Sequence, residues 1–220
     1  MSTMKRAAWV AAIVLGCVGL GSRAAPAQET IYDGLTFAQF KSILATTKLT
    51  LEERTTQKGN KYVVITIPGA ATSFIGSMVS CPKDRAQPCD GFSYFFIEDK
   101  RTMTTDAMAR FNREYQFLKA LPSLSNPNNT VIENKTYAVG GITAKHVLAA
   151  GAYYTAAVAD YRSSGTIAGA PGTTSKLSFT KSIQPEAFFA ELAAKGEANP
   201  VPSTSPVDEG LIDALADGQR

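Results

Sequence analysis

Histidine is almost missing from this chain. His146 is the only one among 220 residues. One imidazole cannot build the paired-histidine centres of zinc hydrolases. HExxH, GxSxG, the Walker A loop and a post-strand GxGxxG are absent as well. Cysteine is nearly as scarce, with Cys17, Cys81 and Cys89 the full set. Long apolar runs are limited to Ala7–Leu20, too short to cross a bilayer comfortably. Net charge is also lacking. Of 22 basic residues, Lys5, Arg6 and Arg23 precede residue 28 and no acid accompanies them, which leaves 19 bases against 19 acids. A neutral remainder carries no basic patch for nucleic acid or anionic lipid. The acid pairs Glu52-Glu53 and Glu98-Asp99 are adjacent in sequence, so in strands they point to opposite faces. They read as solvated strand ends rather than a general acid and base. No catalytic, cofactor-binding or metal-ligating set is assigned, and the chain is expected not to be an enzyme.

What the sequence does contain begins with an export leader. Lys5-Arg6, the apolar run and the small-x-small Ala25-Pro26-Ala27 describe a signal peptide over 1–27, cleaved between Ala27 and Gln28. Val14-Leu15-Gly16-Cys17 loosely resembles a lipoprotein box, but Leu15 and the apolar residues after Cys17 fit it poorly. Cys81 and Cys89 then remain as an even pair in an oxidising compartment, and a disulfide is the best reading. Their spacing exceeds that of a CxxC redox pair, and metal binding would need further ligands. The expected location is periplasmic or secreted, with no membrane span after cleavage.

The remainder divides into a domain, 28–162, and a tail, 163–220. Thr36 and Gln39 form a capping box for a helix carrying Phe37, Phe40 and Leu44. Strands are expected over Leu49–Thr55, Lys61–Ile67, Thr72–Ser80 (with Gly76 a candidate bulge) and Gly91–Ile97. The last has aromatics on both faces, which suggests an inner strand with helices on one side and a partner on the other. Thr105 is expected to cap a second helix with Met108, Phe111, Tyr115 and Leu118 as its stripe, stopped by Pro122. A hairpin across Asn134-Lys135 follows, then Gly140-Gly141, then a long helix opened by Thr143 with His146 beside its buried face. The order α-β-β-β-β-α-β-β-α makes an α+β fold, an antiparallel sheet backed by helices. The tail opens with Ser163–Ser175, rich in Gly, Ser, Thr and Ala, and reads as flexible, with short helical segments near Phe188-Phe189 and over Pro206–Asp217; the alternative is that Phe188 and Phe189 dock on the domain or a partner as a hydrophobic anchor.

The helix Phe37–Leu44, the Cys81…Cys89 loop, the strand Phe92–Ile97, Phe111-Asn112 followed by Phe117, and Gly140-Gly141 leading into a helix together resemble the YbjN-like group, described as bacterial sensory transduction regulators. The resemblance covers about Gly34 to Tyr161. It implies a fold similar to the type III secretion chaperones, a non-catalytic role and frequent dimers. It marks Phe111, Asn112, Phe117, Gly140 and Gly141 as family-motif residues and supplies no catalytic ones. The export leader and the long tail depart from the group. The expected function is an exported, chaperone-like binding or regulatory module for a protein or peptide, with a homodimer in view. The alternatives are a small-molecule binder with an aromatic pocket at Tyr94, Phe96, Tyr153 or Tyr154, and a hydrolase of unrecognised type.

Overall fold

A computed structural model describes residues 29–67, 73–98, 103–115, 117–163 (side chains to 158), 185, 187–190 and 207–218. The expected cleavage pair, Ala27 and Gln28, lies outside them, as does most of the expected tail.

The sheet is built where β-branched and aromatic residues are densest. Strands β2 (Thr50–Thr55), β3 (Lys61–Thr66), β4 (Ser73–Val79) and β5 (Gly91–Glu98) form an antiparallel meander. β7 (Thr130–Tyr137) and β6 (Lys119–Pro122) complete six strands in the order β2-β3-β4-β5-β7-β6. A separate pair, β1 (Ile31–Tyr32) with β8 (Ile142–Thr143), ties the start of the domain to the residues that precede the last large helix. Gly140 and Gly141 take positive φ, 82° and 95°, in the turn that brings β8 back beside β1. A side chain on Gly141 would meet the Ile31 side chain at 2.5 Å, so both conformation and space select glycine there.

Side chains alternate across the sheet. Val63, Ile65, Phe74, Met78, Phe92, Tyr94, Phe96 and Ile132 point to one side, face A, and join the larger core. Helices α1 (Phe37–Leu44) and α3 (Ala144–Ser163) lie over this face, and α2 (Thr105–Glu114) packs beside β6. The Thr36–Gln39 capping box opens α1 as expected. Phe40 of α1 reaches the sheet at Gly76, where a Cβ would stand 2.9 Å from its ring. Gly76 is therefore no bulge. It pairs in register with Val63 and Tyr94, and its missing side chain makes room for Phe40.

Tyr62, Val64, Ile75, Val79, Phe95, Ile97 and Val131 point the other way, to face B. On this side, where the sequence suggested a partner, lies a helix from later in the same chain, α4 (Glu209–Ala216). Its Leu211, Ile212 and Leu215 are fully buried against face B. The fold is thus α+β, an antiparallel sheet with helices on both faces.

Several local expectations shift. Thr130–Tyr137 is one strand, so no hairpin turns at Asn134-Lys135. Its second neighbour is β6, in the segment read as the end of a helix. The second helix is capped by Thr104, whose side chain accepts from the Ala107 amide, and it ends at Glu114, before Leu118. Thr143 accepts from the His146 amide at the start of α3, and His146, expected beside the buried face of that helix, is exposed. Glu98 is buried, not a solvated strand end. Phe189 is buried and approaches Gly151 of α3, which places this aromatic on the domain.

Candidate functional site

The sequence pointed to Cys81, Cys89, Phe111, Asn112, Phe117, Gly140 and Gly141. The first two form a disulfide. The others serve separate places. Phe111 is in the face A core and stacks on Tyr115 with ring centroids 4.4 Å apart. Asn112 accepts from the Ala120 amide at 2.6 Å and donates to the Ala120 carbonyl at 3.0 Å. Ala120 is on the outer strand of the sheet, and its amide and carbonyl face away from β7. Asn112 therefore closes an edge where another strand could pair. Phe117 is 59% exposed, and its carbonyl accepts from Asn134 Nδ2. The glycines form the β8 turn described above. At the opposite edge, β2 carries Glu52, Glu53 and Arg54, charges that discourage strand addition.

The aromatic pocket foreseen at Tyr94, Phe96, Tyr153 or Tyr154 is packed core at three of its four positions. Tyr94, Phe96 and Tyr154 are fully buried. The Tyr94 hydroxyl donates to the Val147 carbonyl at 3.1 Å and that of Tyr154 to Ile132 at 2.9 Å. Burial pushes the Tyr94 phenol far above its ordinary value, so it stays a neutral donor.

What the sequence did not reveal is the seat of α4. Asp208, at its N-cap, is fully buried and accepts from Ser123 Oγ at 2.5 Å and from the amides of Leu124 (2.8 Å), Ser125 (3.2 Å) and Leu211 (2.9 Å). Burial alone would raise its carboxyl; the Ser123 hydroxyl and the three amides outweigh that and hold it below the usual range. Midway along, Asp213 Oδ1 accepts from Thr56 Oγ1 and Asn60 Nδ2, both at 2.7 Å, which fastens the helix to the β2–β3 turn. At the C-terminal end, where helix carbonyls lack partners, the Ser80 and Cys81 amides donate to Leu215 and Ala216 at 2.8 and 2.7 Å. Ser80 has positive φ, 51°, at this junction. The helix is thus held by polar contacts at its start, middle and end, with three large aliphatic side chains beneath. The anchors come from residues more than 80 positions away, which no local pattern could have indicated.

Beside that C-terminal end lies a cavity of about 300 Å³. The first turn of α1 (Thr36, Phe37, Ala38), the β2–β3 turn, the disulfide and Ala216 of α4 form its walls. Lys61 and Arg85 are the charged residues in the lining. Lys61 bonds Glu53 at 2.9 Å, and Glu53 has a second, closer partner in Lys41 at 2.6 Å. The Lys41 bond, then the Lys61 bond, keeps the Glu53 carboxyl below its ordinary range. Arg85 is 3.6 Å from Asp217, with both side chains well exposed.

Among the described residues no group of three or more His, Cys, Asp or Glu is placed to hold a metal ion, and no helix is long and apolar enough to cross a membrane. No protein-family model matches this chain, and neither the curated proteins nor the solved structures contain one significantly similar to it.

Proposed function

We propose that the mature chain is an exported, non-catalytic binding and regulatory module, chaperone-like in the manner of the YbjN-like group, which recognises a protein or peptide partner by seating an amphipathic helix on face B. The observation that carries this reading is α4. A short terminal helix, far in sequence from the sheet, occupies an apolar face and is fixed by named polar anchors at three points. A surface that holds one helix by an aliphatic row and fixed donors has the elements of helix-in-groove recognition. The sheet edges are less suited to a partner, since Asn112 closes one and charge guards the other. The non-catalytic part is supported by the use of the buried acids Asp208 and Asp213 as helix anchors. The periplasmic or secreted location is supported by the leader-like sequence 1–27 and by the disulfide.

The test is exchange of the helix. A single protease site built into residues 196–200 of the mature chain would leave α4 held without a covalent link after cutting. Native mass spectrometry is expected to show the fragment still bound, then replaced by a labelled peptide of residues 207–220. A tethered helix competes at an effective concentration in the millimolar range, so the uncut chain should take up little peptide. A fragment that never exchanges, or one that leaves with no peptide entering its place, would overturn the reading.

A further inference from the structure

The cavity beside the disulfide has chemistry that face B does not share. Its lining joins apolar groups (Phe37, Met78, Ala86 and the Cys81–Cys89 sulfurs) to two cations, Lys61 and Arg85, and contains no acid. Both cations can be released. Glu53 keeps Lys41 when Lys61 turns away, so no carboxylate loses its only partner. The Arg85–Asp217 pair is long and exposed, a kind that contributes little. The cavity volume is at the lower end for small-molecule sites.

We propose that this cavity is a binding site for a small amphiphilic carboxylate, with its apolar body against Phe37, Met78 and the disulfide and its anionic head at Lys61 and Arg85. The site does not rest on helix recognition on face B, although the two adjoin: Asn60 and Cys81, which hold α4 at Asp213 and Ala216, line the cavity together with Ala216 itself. Specificity follows from the composition of the lining. A neutral molecule of the same shape fills the apolar part but leaves the cations in water. A cation of that shape meets like charge at the mouth.

Calorimetry on the intact mature chain, with octanoate as probe and octanamide as its neutral counterpart, tests the assignment. Octanoate is expected to bind at least tenfold more tightly than octanamide, with affinity falling as salt rises. The double variant Lys61→Ala, Arg85→Ala is expected to lose about tenfold for octanoate and to keep its octanamide affinity. Ala38→Trp, placed at an exposed position of the lining, is expected to weaken both ligands. Near-ultraviolet circular dichroism of each variant verifies that the fold is kept. Equal affinity for the two probes, no binding of either, or octanoate binding unchanged in the double variant would each overturn the proposal. None of these outcomes bears on whether α4 exchanges.

Discussion

Asn112 shows how much one side chain can decide at the edge of a sheet. In an antiparallel ladder alternate residues turn both backbone groups outward, and on β6 the outward pair belongs to Ala120. The Asn112 carboxamide meets both groups, with the donor and acceptor each matched. Replacing Asn112 with Ala leaves two backbone groups without protein partners, so a loss of about 1–3 kcal/mol is expected. Urea denaturation should show it as a lower midpoint with an unchanged slope. Gly76 offers a second test. A methyl group there would meet the Phe40 ring at 2.9 Å and Val63 at 3.0 Å, so Gly76→Ala is expected to cost about 1–3 kcal/mol by overpacking. Adding Phe40→Leu should recover part of that loss, a coupling that a double-mutant cycle measures. If the two changes simply add, the close approach is not what selects glycine. The sequence marked Gly76 as special but not for this reason, because the ring it accommodates comes from α1, more than 30 positions earlier.

Elements rich in their own local pattern were legible. β3, β4 and β5 lie within a residue or two of where β-branched and aromatic runs placed them, and the Thr36–Gln39 capping box marked α1. β6 and β7 were not, for identifiable reasons. Lys119–Pro122 is four residues long and follows a helical stripe, so nothing local separates it from a helix end. Asn134-Lys135 has turn composition, yet Asn134 sits opposite Tyr94 in the ladder while its side chain bonds the Phe117 carbonyl. α4 was legible only as a helical turn or two, because its own Leu211, Ile212 and Leu215 and its Asp208 cap are matched by face B and by Thr56, Asn60 and Ser123, far away in sequence. That dependence makes α4 sensitive to pH. Asp208 has a folded-state pKa below its unfolded value. Its contribution is therefore fully present above the ordinary carboxylate range, about 3.9, and is lost as pH falls through the lower folded value. Hydrogen exchange of residues 209–217 is expected to lose protection below about pH 4, before the sheet does. In Asp208→Asn protection should be weaker at neutral pH and should change less on acidification. A variant that keeps the full acid response would assign it to another group.

At the scale of the whole molecule, the disulfide, the last turn of α4 and the end of β4 meet at one point. Cys81 is covalently joined to Cys89, and its amide donates to the Ala216 carbonyl. Cys89 in turn exchanges backbone hydrogen bonds with Leu35, just ahead of α1. The crosslink therefore restrains the place where face A and face B coverings both attach. The loop it closes is short, with a sequence separation of 8, and a loop of that size is worth about 2–3 kcal/mol in the chain-entropy model. Reduction, or Cys81→Ser with Cys89→Ser, is expected to lower global stability by that amount. The loss should not be spread evenly, since local opening follows local support. α4 rests on face B through three large side chains, whereas α1 and α3 share the larger core. Exchange protection should thus fall first at Ser80, Cys81 and residues 215–217, next along the rest of α4, and last in β3–β5. With α4 loosened, the apolar row Val64, Ile75 and Phe95 becomes accessible, and the reduced chain should bind a labelled 207–220 peptide more readily than the oxidised chain does. If reduction lowers every segment's protection equally, the disulfide acts on the unfolded chain alone and has no particular hold on the helix.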